Sequence, residues 1–251
     1  MGLGAVIAAG AKALGAGIVS IGSAIVSGVS HVCSVAGGFL GKAATAISGF
    51  ATKAFEVGQR LFKGIDAIGI VEKVSKGVSG ISEVLEIKSP GLDSPEEISY
   101  KVREADKQPE DFASTSEYLD YLHNEIQVDK AKIENHDPEQ RAIHSIIGSY
   151  VYLKAISDKL GVDEIDATFI LNMAKLGISA EIAVSIIKNL KNNGITNTGA
   201  LDKFLHGKAD NIEQAAAVDK ALYNTFKESD PDMSDKEIDS KIAQMDKDLE
   251  S

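Results

Sequence analysis

From Ala13 to Gly41 the chain runs for 29 residues without a charged side chain, bounded by Lys12 and Lys42. Ile and Val recur through the run, and Gly, Ala and Ser fill most of the remainder. Such a segment needs a burial partner, because apolar surface left in water is unfavourable. Three partners are open to it: a lipid bilayer, other copies of the chain, or another protein.

Spacing says what shape the run takes. The bulky apolar residues Ile18, Ile21, Ile25, Val29, Val32, Val35 and Phe39 follow one another in steps of three and four. The pattern resumes at Ile47, Phe50, Ala54, Val57, Leu61, Ile65 and Ile68 and runs on to Leu85. Steps of three and four place side chains on one face of an α-helix. The alternation of a strand occurs only in scraps, although β-branched residues are frequent. Small residues also recur every four positions: Ser20, Ala24 and Gly28; Ser30, Ser34 and Gly38; Gly37 and Gly41. On a helix such rows let a neighbour approach closely. Each interior Gly costs about 1 kcal/mol relative to Ala, so a helix of this composition does not hold alone in water.

The run is longer than the roughly 20 residues that span a bilayer, yet its Gly, Ser and Ala give it modest hydrophobicity. The reading is a conditionally membrane-active segment, packed in an assembly first and inserted later. Its glycines and length do not suit a cleaved signal peptide. Val6 stands where a myristoylation motif needs Ser or Thr.

Charge divides the chain. Residues 1–89 carry eight Lys/Arg and five Asp/Glu, and the rest carries 18 and 32. Sixteen of the 23 glycines precede Pro90. This predicts two parts: an apolar to amphipathic helical segment over 1–89, and an acidic α-helical domain over 90–251. Lys88-Ser89-Pro90-Gly91 marks the boundary. The acidic part argues against sequence-specific nucleic-acid binding, which needs clustered Lys and Arg.

The acidic part is strongly punctuated. Ser94-Pro95-Glu96-Glu97, Ser114-Thr115-Ser116-Glu117, Asp137-Pro138-Glu139-Gln140 and Ser234-Asp235-Lys236-Glu237 each open a helix, and the last of these helices reads as mostly charged and exposed. Gly161 closes the helix begun at Pro138. A weak repeat follows, with Gly161, Gly177 and Gly194 each trailed by an apolar residue and then by Asp163, Ser179 or Thr196 as a cap for the next helix. The predicted fold is all-α: a long Gly/Ala-rich apolar N-terminal helix or helical hairpin, followed by a compact bundle of short helices.

Chemistry-bearing motifs are few. The five histidines form no HExxH or other metal spacing, and no Walker loop or GxSxG occurs. Asp230-Pro231-Asp232-Met233-Ser234 starts like a calcium loop but has Asp235 and Lys241 where Gly and Glu are required. Cys33 lies in an uncharged setting and reads as a small buried hydrophobe. The expectation is no catalytic, cofactor or metal site. The candidate functional residues are those of helix packing or membrane contact: Ile18, Ile21, Ile25, Gly28, Val29, Val32, Val35, Gly37, Gly38, Phe39 and Gly41.

The N-terminal segment, with the units around Lys175-Leu176-Gly177-Ile178-Ser179, resembles bacteriophage ejection, pilot and tape-measure proteins. That resemblance implies a non-enzymatic virion protein of the particle interior or tail. It would form homo-oligomers, contact other virion proteins and meet the lipid bilayer of the host envelope during DNA delivery. The alternative is a secreted bacterial pore-forming toxin or effector with an N-terminal translocation segment.

Overall fold

The computed structural model describes residues 21–88 and 93–250, and within them the chain is all-helical. The first helix, α1, covers 21–36. It stops where Gly37 and Gly38 take φ of +65° and +50°, a left-handed region that side chains rarely enter. α2 (Gly38–Leu61) then runs back along α1. Ser30 Oγ lies 2.7 Å from Ser48 Oγ, and Gly22 faces the Phe55 ring. The apolar run is therefore a hairpin at its Gly-Gly pair, and the alternative of one long helix is corrected. No helix among the described residues is long and apolar enough to cross a membrane.

The seam predicted to run on to Leu85 is also interrupted. Gly64 adopts φ +84°, and Asp66 caps α3 (Ala67–Val84), its Oδ1 accepting from the Gly69 N–H at 2.7 Å. Both signals were in the sequence, but an unbroken apolar period masked them. α2 and α3 close on each other where Ile70 fills the space above Gly58.

Beyond the boundary come α4 (Pro95–Glu104), a 3-10 turn at Pro109–Asp111, α5 (Thr115–Glu125), α6 (Lys130–Glu134) and α7 (Pro138–Leu160). They are followed by α8 (Ala167–Lys175), α9 (Ala180–Asn192), α10 (Gly199–Leu205), α11 (Ile212–Ser229) and α12 (Asp235–Glu250). The expected caps are in place. Ser94 and Glu97 form a full capping box. Asp137 caps α7 through the Gln140 N–H, and Gly161 ends it in the left-handed conformation. Ser234 and Glu237 exchange hydrogen bonds at the start of α12. At Ser114 only half of the box forms, since the Glu117 carboxylate takes the Ala113 N–H instead.

Two expectations need correction. α12 is not simply exposed: Ile238, Ile242, Met245 and Leu249 are buried on one face. In the Gly repeat only Ser179 caps its helix directly. Asp163 and Thr196 hydrogen-bond each other instead, and the segments 163–164 and 196–198 lie side by side in a short parallel bridge. Asp166, three residues later than expected, caps α8.

One apolar cluster runs through both parts of the chain, from Ile25 and Val29 to Met245 and Leu249. α7 stands at its centre, packed against α2, α3, α4 and α5, while α3 also reaches α8 and α9. The change at Pro90 is thus a change of composition and charge, with core packing continuous across it. The expected boundary tetrapeptide lies partly outside the described residues.

The α4–α7 crossing is the tightest contact. A Cβ on Gly148 would sit 1.6 Å from the Pro95 carbonyl oxygen. Gly→Ala inside a helix normally adds up to about 1 kcal/mol of stability. Here the neighbour is backbone, and forced overpacking costs about 1–3 kcal/mol or more. Gly148→Ala is therefore expected to lower the urea-unfolding free energy by about 3 kcal/mol; a neutral or stabilising result would mean that α4 slides freely on α7.

Candidate functional site

The predicted site residues fall on the α1–α2 hairpin, and the structure sorts them into three groups. Ile25 and Val29 are fully buried, joined by Cys33 one turn further on. Val32 and Phe39 are half-buried against the same core. Ile21 is 36% and Val35 72% exposed, so Val35 is a correction: it faces solvent, and the seam passes through Cys33. The reason is helical phase. Steps of four from Ile25 keep to the narrow stripe that faces the body, whereas Val35 is carried round to the outer side. Ile18 lies outside the described residues.

The glycines divide likewise. Gly28 is a notch, since a Cβ there would stand 2.2 Å from Ile143 Cδ1 of α7. Its small row does admit a neighbour, a side chain rather than a second backbone. Gly37 and Gly38 are turn residues, so the Gly37/Gly41 pair forms no strip for another helix; Gly41 instead comes close to the Cys33 carbonyl oxygen. Next to the turn, the Phe39 N–H donates to Gln108 Oε1 at 2.5 Å, and Lys42 pairs with Glu110 at 2.9 Å. The acidic part thus holds the hairpin tip. Burial pushes the Cys33 thiol up to about 11, in keeping with an inert packing residue.

A second set of groups was not legible from motifs. Asp93 Oδ2 accepts from Lys101 Nζ at 2.6 Å and from His123 Nδ1 at 2.7 Å, with all three side chains buried. Lys101 also donates to the carbonyls of Leu122 and His123, and the Tyr152 hydroxyl donates to the Asp93 carbonyl at 2.9 Å. A carboxylate acceptor requires a proton on His123 Nδ1, and the buried Nε2 of the same ring has no hydrogen-bond partner. Burial raises the Asp93 pKa, but hydrogen bonds and charge from His123 and Lys101 outweigh it, and the net shift is downward. The cluster ties the start of α4 to α5 and α7.

Beside it, rings of Tyr100, His136 and His144 stack, with Tyr100 and His144 centroids 4.0 Å apart. His144 Nδ1 lies 2.8 Å from Ser99 Oγ. A Ser–His contact suggests a nucleophile and its base. Ser99 has no exposed surface, however, and His144 is driven down to about 3 by burial and by the nearby Arg103 and His136. An imidazole that basic groups and burial keep neutral is a poor proton acceptor, so the pair is packing chemistry. Glu96, raised by burial against the opposing effect of Arg141, borders a cleft with His136, Arg141 and Ser75. Among the described residues no group of three or more His, Cys, Asp or Glu has the geometry to hold a metal.

Comparison with known protein families, with curated proteins and with solved structures finds no match for this chain.

The two buried clusters fix how stability depends on pH. His144 is neutral in the fold, so the unfolded chain binds more protons between its ordinary pKa of 6.5 and about 3. Stability is complete above that window and falls as pH drops through it, by on the order of a few kcal/mol. Asp93 adds a loss at still lower pH, as its depressed carboxyl protonates. Urea midpoints are expected to fall from pH 6.5 to 4 in the native protein and to be much flatter in His144→Phe; equal slopes would clear His144 of this role. Asp93→Asn strands the Lys101 charge in the core and should lower the unfolding free energy at neutral pH by about 3–5 kcal/mol in the same assay.

Proposed function

We propose that the protein is a non-enzymatic virion component of the phage ejection type. It packs with its own copies and other virion proteins, and it delivers α1, the first arm of its N-terminal hairpin, to the host envelope as DNA crosses. The observation that carries this reading is how α1 is held. It is anchored along one narrow stripe, Ile25, Val29 and Cys33, with Ile143 set into the Gly28 notch. Its other faces carry Ser, Ala, Ile21, Val35 and the exposed His31, and no Asp, Glu, Lys or Arg. Leaving the body therefore strands no buried ion pair on α1, and the released Ile/Val face can lie in the headgroup boundary of a bilayer as an interfacial helix. Supporting it are the neighbours of the turn, Gln108 and Glu110, which contact the tip through polar groups that water can replace.

Two measurements test this. Mass spectrometry of purified particles is expected to find the chain at many copies. Absence from particles, with leakage of vesicles by the free protein, would favour the secreted pore-forming reading instead. The release step is tested by a lock. Ile143 Cγ1 and Cγ2 lie 3.0 and 3.9 Å from the Cβ position of residue 28, within reach of a disulfide. In a Cys33→Ala background, Gly28→Cys with Ile143→Cys should lose hairpin insertion into vesicles when oxidised and regain it when reduced. Equal insertion in both states would overturn release of α1.

A further inference from the structure

A groove of about 410 Å³ lies between α3 and the α8–α9 turn. Its walls are Ile81, Ile170, Met173 and Ile178, with Gly77, Gly80 and Gly177 giving it depth. Ile170 of α8 approaches the Cβ position of Gly77 to 2.7 Å, and Ala180 approaches that of Gly80 to 3.3 Å, so the helices meet closely at its floor. Nothing stands within 4 Å of the Cβ position of Gly177, which leaves that side open. The charged residues of its lining are Lys73 and Lys76, with no carboxylate among them, in a chain whose net charge is −11. Lys73 Nζ stands 4.5 Å from the centroid of the Phe62 ring, which lies outside the groove. Lys76 has no ion-pair partner among the described residues. The N-terminus of α9, capped by Ser179, opens beside Ala180 on the same rim, but Glu181 in its first turn offsets its positive potential, so the positive charge of the groove is that of the two lysines.

We propose that this groove is a docking site for an anionic phospholipid of a bilayer, with the headgroup phosphate on Lys73 and Lys76 and an acyl segment along the Ile81–Ile170–Met173 wall. Charge complementarity selects the occupant. An apolar slot alone would take any hydrocarbon, and two lysines alone would take any anion; together they require both in one molecule. The net negative charge of the chain does not cancel this, because at physiological salt charges beyond about 8 Å are screened. The choice of a bilayer rests on the envelope-delivery reading, whereas the groove itself is independent of the hairpin.

The test uses the full chain and phosphatidylcholine vesicles with and without phosphatidylglycerol. The protein has no tryptophan, so Ala174→Trp, at an exposed lining position, places a single reporter in the groove. Its emission should shift to the blue, and brominated acyl chains should quench it, only with the anionic vesicles. Lys73→Gln with Lys76→Gln should weaken binding to those vesicles roughly thirty-fold, at about a factor of five per lysine. The oxidised Gly28–Ile143 lock should leave groove binding intact, which separates this site from the hairpin. Vesicle binding unchanged in the lysine variant would overturn the proposal, as would a reporter that stays at its solvent emission while the protein floats with vesicles. A blue shift with decanoate below its micelle concentration and none with anionic vesicles would also overturn it, in favour of a monomeric ligand.

Discussion

Burial of α7 on several sides is the constraint on which the remaining layers depend. Fourteen of its 23 residues are buried, from Ala142 to Leu160. A helix this apolar cannot stand in water, and it has no single partner large enough to cover it. α3 and α2 cover it from the N-terminal part of the chain, and α4 and α5 from the acidic part. The N-terminal segment and the acidic domain are therefore parts of one folding problem. Local features serve that end: Gly148 admits the Pro95 backbone, and Gly28 admits Ile143 from the same helix. Both glycines lose helix propensity and gain a close approach that no larger residue permits.

Much of the helical plan was legible because its signals are local. Caps at Ser94, Asp137 and Ser179, and the left-handed stop at Gly161, depend on residues within four positions of one another. The Gly37–Gly38 turn was harder to read, since the apolar period continues through it and only backbone geometry separates a kink from a reversal. Cys33 was correctly read as packing, yet it carries the stripe that Val35 was expected to carry. α12 shows the opposite error. Its charge hid Ile238, Ile242, Met245 and Leu249, whose steps of four, three and four were a visible helical stripe. Asp163 and Thr196 were expected to cap separate helices, and no local rule foretells that they pair 33 residues apart.

The buried polar clusters were not legible at all, for a physical reason. Asp93, Lys101 and His123 are separated by a helix and a turn, and each residue alone looks like solvated surface. What gives them meaning is convergence in a dry place. A lysine and a carboxylate can be buried there only together, and the imidazole donates a second hydrogen bond to the same carboxylate oxygen. His144 solves the same problem by giving up its charge. The two solutions respond to acid differently. The neutral imidazole is penalised as soon as the solvent can protonate the unfolded chain, whereas the ion pair holds until the carboxyl itself takes a proton.

Stability is therefore distributed unevenly, and that bears on which element can leave. On α1 the large aliphatic residues that are fully buried are Ile25 and Val29, each worth about 1.5–3 kcal/mol against exposure. Gly22 and Gly28 offset part of that gain through helix propensity. α4, by contrast, is tied down by a capping box, a buried ion pair and a backbone-to-backbone crossing. An element held by a few apolar contacts and bordered by a glycine turn belongs to the low-stability end of a fold. In the proposed release, a membrane surface would supply burial for the same Ile/Val stripe. The small residues that make α1 a weak helix in water also reduce what the body would give up in the proposed release, and they add no Asp, Glu, Lys or Arg to the helix.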